Sequence, residues 1–318
     1  MPGTPLAKQL ENGEPDGRDG AMNDLAATPN YAIRLAEYYR RHGVHCETLG
    51  GTLWIEDKRM IFPVGPVSRD YTIARNDARS LLSHSRSALL VSSTSGLEMP
   101  RVKTSWYAVI CRRWKEPGEL SANTRSKLSR GLRNNEVRKV DARFIAEHGH
   151  ETHAAACARY GLDPKAEDRF KKSILVAGDF ADVIDFWAVF HQDVLVGYAQ
   201  VHLFERIEAY YTGVAFHPEF FKFYTSYALI HKMNEYYLRQ NSFAYANDGF
   251  RSIAHPTEFQ DFLVDKFGFE RAFMRLSLHY KNYVFLVMSL PARIRHLLAK
   301  ASRKLAALNR LHEARTPS

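Results

Sequence analysis

The stretch from Ile207 to Tyr280 constrains the fold most, because it reads as strand, helix, strand, helix and strand in close succession. Residues 207–216 (IEAYYTGVAF) are rich in β-branched and aromatic side chains. They follow a short Glu205-Arg206 turn, which makes them the second strand of a hairpin whose first strand is VLVGYAQVHLF at 194–204. Next, Leu229, Met233, Tyr236 and Tyr237 recur at helical spacing after Thr225 and Ser226, whose hydroxyls suit a helix start. A helix over about 225–240 is expected. A strand over 243–248 and a helix over roughly 257–266 complete the unit. That last helix closes on Lys266, with Gly268 free to take the left-handed cap and Phe267 and Phe269 turning back into the core.

This order, ending in KFGFERAFMRLSLHY, resembles the acyl-donor half of a GNAT-type N-acyltransferase. Three segments extend the likeness to the FemAB-like branch of that superfamily: LSANTRSKLSRGLRNNEVRKV at 120–140, the hairpin with its HPEFFKFYTSYALI continuation, and NDGFRSIAHPTEFQDFLVDKFGF at 247–269. The resemblance implies a mixed, mostly antiparallel α/β sheet flanked by helices. It also implies a donor pyrophosphate lying on backbone N–H groups where the chain turns into the 225–240 helix, a place favoured by unpaired amides and the positive helix dipole.

Phe216, Pro218, Glu219 and Leu229 stand at the family's intervals, while Tyr224 and Ser226 replace its glycines and Phe221 its basic residue, leaving Lys222 as the nearby cation. The expected donor-binding set is therefore Phe216, Lys222, Tyr224, Thr225, Ser226 and Arg251. The expected donor is acetyl-CoA or another acyl-CoA. The degenerate loop and the basic segment keep aminoacyl-tRNA open as an alternative donor, as some FemAB-like proteins use it. A non-catalytic basic scaffold stays open as well.

The activated donor needs only an acceptor amine held in place, a proton acceptor and oxyanion stabilisation. Asp248, at the end of the 243–248 strand, is the candidate base or amine anchor; the plainer reading is a turn Asp ahead of Gly249. His255 can exchange a proton near neutrality, although it precedes Pro256 in a loop. Tyr210 and Tyr211 alternate faces of their strand, one to the core and one to the cleft, with Tyr211 the candidate leaving-group acid. Arg251 offers its planar fork to a phosphate or carboxylate. Thr257 and Gln260 fit a structural capping box, and Glu258 suits a first helical turn.

Charge is concentrated. Residues 122–143 carry seven Lys and Arg against two acids, and residues 291–318 carry seven against one, so these two segments supply more than the whole net charge of +9. An anionic partner is implied: tRNA, a phospholipid surface or donor phosphates. In the first segment Leu128 and Leu132 form an apolar stripe beside a cationic face of Lys127, Arg130 and Arg133. The C-terminal segment 283–318 reads as a basic amphipathic helix, either docked on the body or in peripheral contact with a membrane.

Cys46, Cys111 and Cys157 lie far apart, which argues against a disulfide framework or a zinc site, so no metal is expected. No run approaches the ~20 apolar residues of a membrane span, and the expectation is a cytoplasmic protein, free or at the inner membrane face. The domains expected are a disordered tail over 1–28, an α/β subdomain over 29–118, the acyltransferase domain over 119–282 and the C-terminal helix over 283–318. Walker, G-x-G-x-x-G, G-x-S-x-G and His-Glu-x-x-His motifs are absent.

Overall fold

The computed structural model describes residues 31–85, 87–97, 104–253 and 258–316. The tail expected over 1–28 lies outside them. The chain opens with α1 (Tyr31–Arg41), then β1 (His45–Leu49), β2 (Thr52–Asp57), β3 (Met60–Val64), α2 (Arg75–His84), β4 (Leu90–Thr94) and β5 (Tyr107–Cys111). It continues through α3 (Ala122–Asn134), β6 (Glu136–Val140), α4 (Ala142–His148), α5 (His150–Arg159), α6 (Glu167–Gly178), β7 (Ile184–His191), β8 (Val194–Phe204) and β9 (Glu208–Phe216). The remaining elements are α7 (Thr225–Asn234), β10 (Tyr245–Phe250), α8 (Glu258–Phe267), β11 (Glu270–Phe273), β12 (Leu276–Tyr280), α9 (Asn282–Met288), α10 (Ala292–Ala301) and α11 (Arg303–Ala314).

Two sheets result, a seven-stranded one in the order β11-β5-β10-β9-β8-β7-β6 and a five-stranded one in the order β1-β2-β3-β4-β12. They exchange a strand across the division expected near residue 118. β5, from the N-terminal segment, pairs with β10 and β11 in the larger sheet, and β12 pairs with β4 in the smaller.

Local chemistry explains the elements. The β7–β8 and β2–β3 hairpins turn through two consecutive left-handed residues, Gln192-Asp193 and Lys58-Arg59, and the three-residue β8–β9 loop opens on another such pair, Glu205-Arg206. That is the twist a two-residue hairpin requires, adopted here without Gly or Asn. β7, IDFWAVFH, is buried along nearly its whole length, as befits a strand covered on both faces. Gly268 takes φ +75° after α8, closing that helix as expected. The 225–240 helix is α-helical only to Asn234, and Glu235–Gln240 continue as a π-helix. α2 ends at His84, and the apolar run that follows, Leu90–Thr94, is taken into the five-stranded sheet.

On one face of the larger sheet, α3, α7 and α8 pack Leu128, Leu229, Met233, Leu263 and Tyr237 against Val189, Ala209 and Tyr211. α1, α4 and α6 cover much of the other face. Within the first layer Trp187 Nε1 donates to the Tyr237 hydroxyl (2.8 Å), which donates to Asp185 Oδ2 (2.8 Å), whose other oxygen meets Lys139 Nζ at 2.6 Å. The C-terminal segment forms three short helices, broken at Pro291 and Ser302. α11 docks through Leu311 and Ala314, and Thr316 pairs with Leu276 of β12.

Candidate active site

β9 and β10 run parallel and pair over three positions only: Tyr245 with Glu208, Ala246 with Ala209, and Asn247 with Tyr210. Beyond Asn247, β10 stays with β5 through an irregularity at 248–249, while β9 continues to Phe216 beside β8. The two strands therefore part just after Tyr210 and Asn247. On the other edge β9 carries a bulge at Thr212, between the Val201–Tyr211 and Gln200–Gly213 pairs, which re-aims the backbone on the arm of the opening.

The β9 arm leads to the start of α7. A short 3₁₀ turn, Pro218–Phe223, delivers Tyr224 in the left-handed conformation (φ 57°, ψ 38°). This is costly for an aromatic residue and natural for the glycine of the related pattern. Helix α3 crosses at this point, and Gly131 makes the crossing possible, because a Cβ there would lie 2.8 Å from the Tyr224 carbonyl oxygen.

The crossing carries the basic face of α3 to the head of α7. The Arg130 guanidinium sits 4.6 Å from the centre of the Tyr224 ring and Lys127 Nζ lies 6.0 Å from that of Tyr227. Arg159 covers Phe221 at 4.5 Å, and Lys222 lies 5.2 Å from the Phe223 ring. None of these four cations is in an ion pair among the described residues. At the first position of α7 Thr225 is fully buried, and its Oγ1 has no hydrogen-bond partner. Ser226 is half-buried beside it. Phe216 packs on Gly197 and faces Phe221.

On the face turned towards the five-stranded sheet, a cavity of about 280 Å³ lies between the sheets. Tyr210, Asn247 and Phe250 line it from β9 and β10, Tyr71 and Trp106 from the surrounding loops, and Leu311 from α11. Glu208, fully buried at its floor, accepts from Asn247 Nδ2 and from Val67 N, both at 2.7 Å. Burial pushes its carboxyl up to about 7, against the pull of those hydrogen bonds. Sequence reasoning missed Glu208, since nothing local distinguishes it from a turn-end carboxylate.

Asp248 is half-buried next to Asn247, and burial pushes its carboxyl up to about 8, with a hydrogen bond from Gln260 acting the other way. Gln260 also donates to the Phe250 carbonyl, which ties α8 to β10. Tyr211 points into the core, where its hydroxyl donates to Asn234 Oδ1 at 2.7 Å. Its neighbour Tyr210 is the one that lines the cavity, stacked on Phe204. Arg251 is half-buried and donates through Nη1 to Ser105 O, and among the described residues no hydrogen bond or ion pair joins it to the Lys222–Ser226 group. His255 and Thr257 lie outside the described residues. The described residues contain no His, Cys, Asp and Glu grouping able to hold a metal.

No family model matches the chain, and no curated protein sequence does. Among solved structures it is similar to FemX, at 12% identity over 80% of this chain and 93% of that one, with a TM-score of 0.54. It is more distantly similar to a tandem GNAT protein from the clavulanic acid biosynthesis pathway, at 11% identity over 80% and 96% of the two chains, with a TM-score of 0.42. The fold is thus similar to that of FemX, a mixed α/β architecture with mostly antiparallel sheets.

Proposed function

We propose that the protein is an N-acyltransferase that moves an acyl or aminoacyl group from a phosphate-bearing carrier onto an amine. The observation that carries this is the parting of β9 and β10 just after Tyr210 and Asn247, with the start of α7 on the β9 arm ringed by Lys127, Arg130, Arg159 and Lys222. Helix dipole, first-turn amides of Thr225 and Ser226, and unpaired cations all favour phosphate there. Arg251 is assigned to the acceptor end, where its fork suits a carboxylate.

In the reaction the amine nitrogen bonds to the acyl carbon, the carbon–sulfur or carbon–oxygen bond to the carrier breaks, and one proton passes from nitrogen to a base while the carrier gains one. Asp248 is the assigned base, and with a carboxyl near 8 it accepts that proton best in mildly alkaline solution. Tyr210, which burial holds protonated, is assigned to the leaving group in place of Tyr211. Acetyl-CoA or another acyl-CoA is the carrier we favour. Aminoacyl-tRNA is the second reading, favoured by the basic face of α3. We place the chemistry in the cytoplasm, in keeping with three free cysteines.

Hydrogen exchange tests the donor. Coenzyme A should protect amides of residues 216–232, and R130A should weaken its binding about five- to tenfold. Protection by aminoacyl-tRNA alone, with a steep salt dependence, would replace the carrier, and protection by neither would end the transferase reading.

A further inference from the structure

From Arg271 to His312 the chain has nine Lys and Arg and no Asp or Glu. In the middle of this stretch lie the exposed side chains Tyr283, Phe285, Leu286, Ile294, Leu297 and Leu298, with Leu286 at 68% and Leu297 at 67% exposure. α10 buries none of its residues. It is docked the opposite way round from an ordinary surface helix. Its polar side faces the body, where the Arg295 guanidinium donates to Asn309 Oδ1 (2.9 Å) and the Leu290 carbonyl (2.7 Å), and His296 meets Glu313 at 3.0 Å. Ile294, Leu297, Leu298 and Ala301, at spacings of three and four, therefore form a stripe that turns away from α11.

Arg293, Lys300 and Lys304 have no ion pair among the described residues. A nucleic acid would match the cations but has no use for exposed leucines. An aqueous surface would match neither the apolar stripe nor its inverted docking. We propose that α9 and α10 form a membrane-docking face that lies in the headgroup layer of a bilayer containing anionic phospholipid, with Leu286, Leu297 and Leu298 among the acyl chains and Arg293 and Lys300 at the phosphates. No covalent lipid is required. α11 is different: it packs inward through Leu311 and Ala314, so it fixes this face to the wall of the inter-sheet cavity. The inference is independent of the acyltransferase reading.

Co-sedimentation of the full chain with vesicles of phosphatidylcholine alone and of phosphatidylcholine with one-quarter phosphatidylglycerol tests it. The protein should pellet with the anionic vesicles and be released by raising salt. L286E/L297E should abolish pelleting, and R293E/K300E should weaken it about tenfold or more, both with unchanged circular dichroism and thermal midpoint since all four side chains are exposed. Failure of the wild type to pellet, equal pelleting with neutral vesicles, or pelleting that survives L286E/L297E would overturn the proposal. So would a dimer in lipid-free solution that L286E/L297E converts to a monomer, because the face would then be covered by a second copy.

Discussion

Replacing Glu208 by Gln should reverse the order of stability of the two proteins between pH 5 and pH 8. The folded chain holds the Glu208 proton more tightly than the unfolded chain does, with a carboxyl raised from 4.5 to about 7 by burial at the joint between the sheets. Its contribution is complete below pH 4.5 and is lost as pH rises towards 7, at about 1.4 kcal/mol per pH unit, or about 3 kcal/mol across that window. Glutamine does not titrate. Its carbonyl can accept from Asn247 Nδ2 or from Val67 N, and its NH2 then faces the other N–H donor, a repulsion that the weakly accepting hydroxyl oxygen of the protonated carboxyl avoids, which costs about 1–2 kcal/mol at every pH. E208Q should therefore be the less stable protein at pH 5 and the more stable one at pH 8. Urea unfolding followed by tryptophan fluorescence at four pH values measures the difference, in which the other titrating groups cancel. Two stability profiles running parallel from pH 5 to 8 would show that the carboxyl is not desolvated, and the reasoning about the joint would fail.

G131A should destabilise the fold by about 1–3 kcal/mol in the same assay, because its methyl would lie 2.8 Å from the Tyr224 carbonyl oxygen; an unchanged midpoint would mean that α3 does not cross there. Y237F strands Trp187 Nε1 and one oxygen of Asp185 and should cost about 2–3 kcal/mol, whereas Y211F, which leaves a neutral amide oxygen of Asn234, should cost nearer 1 kcal/mol. With a carboxyl near 8, turnover at saturating substrate should climb through pH 8 in the wild type and lose that limb in D248N. A retained limb in D248N would assign the proton to another group.

Much of the larger sheet was legible because its information is local. The alternation in 194–216, the helical spacing from Thr225 and the Gly268 stop each act within a few residues, and the elements formed where those signals stand. The interleaving of β5 between β10 and β11 was not legible, since YAVIC has the same composition whether it joins one sheet or the other. The partner is decided by Cys111 meeting Ala246 and Glu270 meeting Ile110 across long loops. The same distance hid much of the site. A basic face on α3 can be read from spacing, but its stacking on Tyr224, ninety-odd residues away, depends on the Gly131 crossing. Tyr210 and Tyr211 were distinguishable only once β9 had a core on a known side.

The cavity between the sheets has one wall, Leu311 of α11, drawn from a segment that follows β12, while another part of its lining comes from residues 57–71. A ribosome-bound chain that has emerged only as far as β12 holds both sheets but not this wall. Deleting residues 302–318 to improve solubility would likewise be no trimming of a loose tail, because it would unroof the chamber and leave Leu276 without its Thr316 partner.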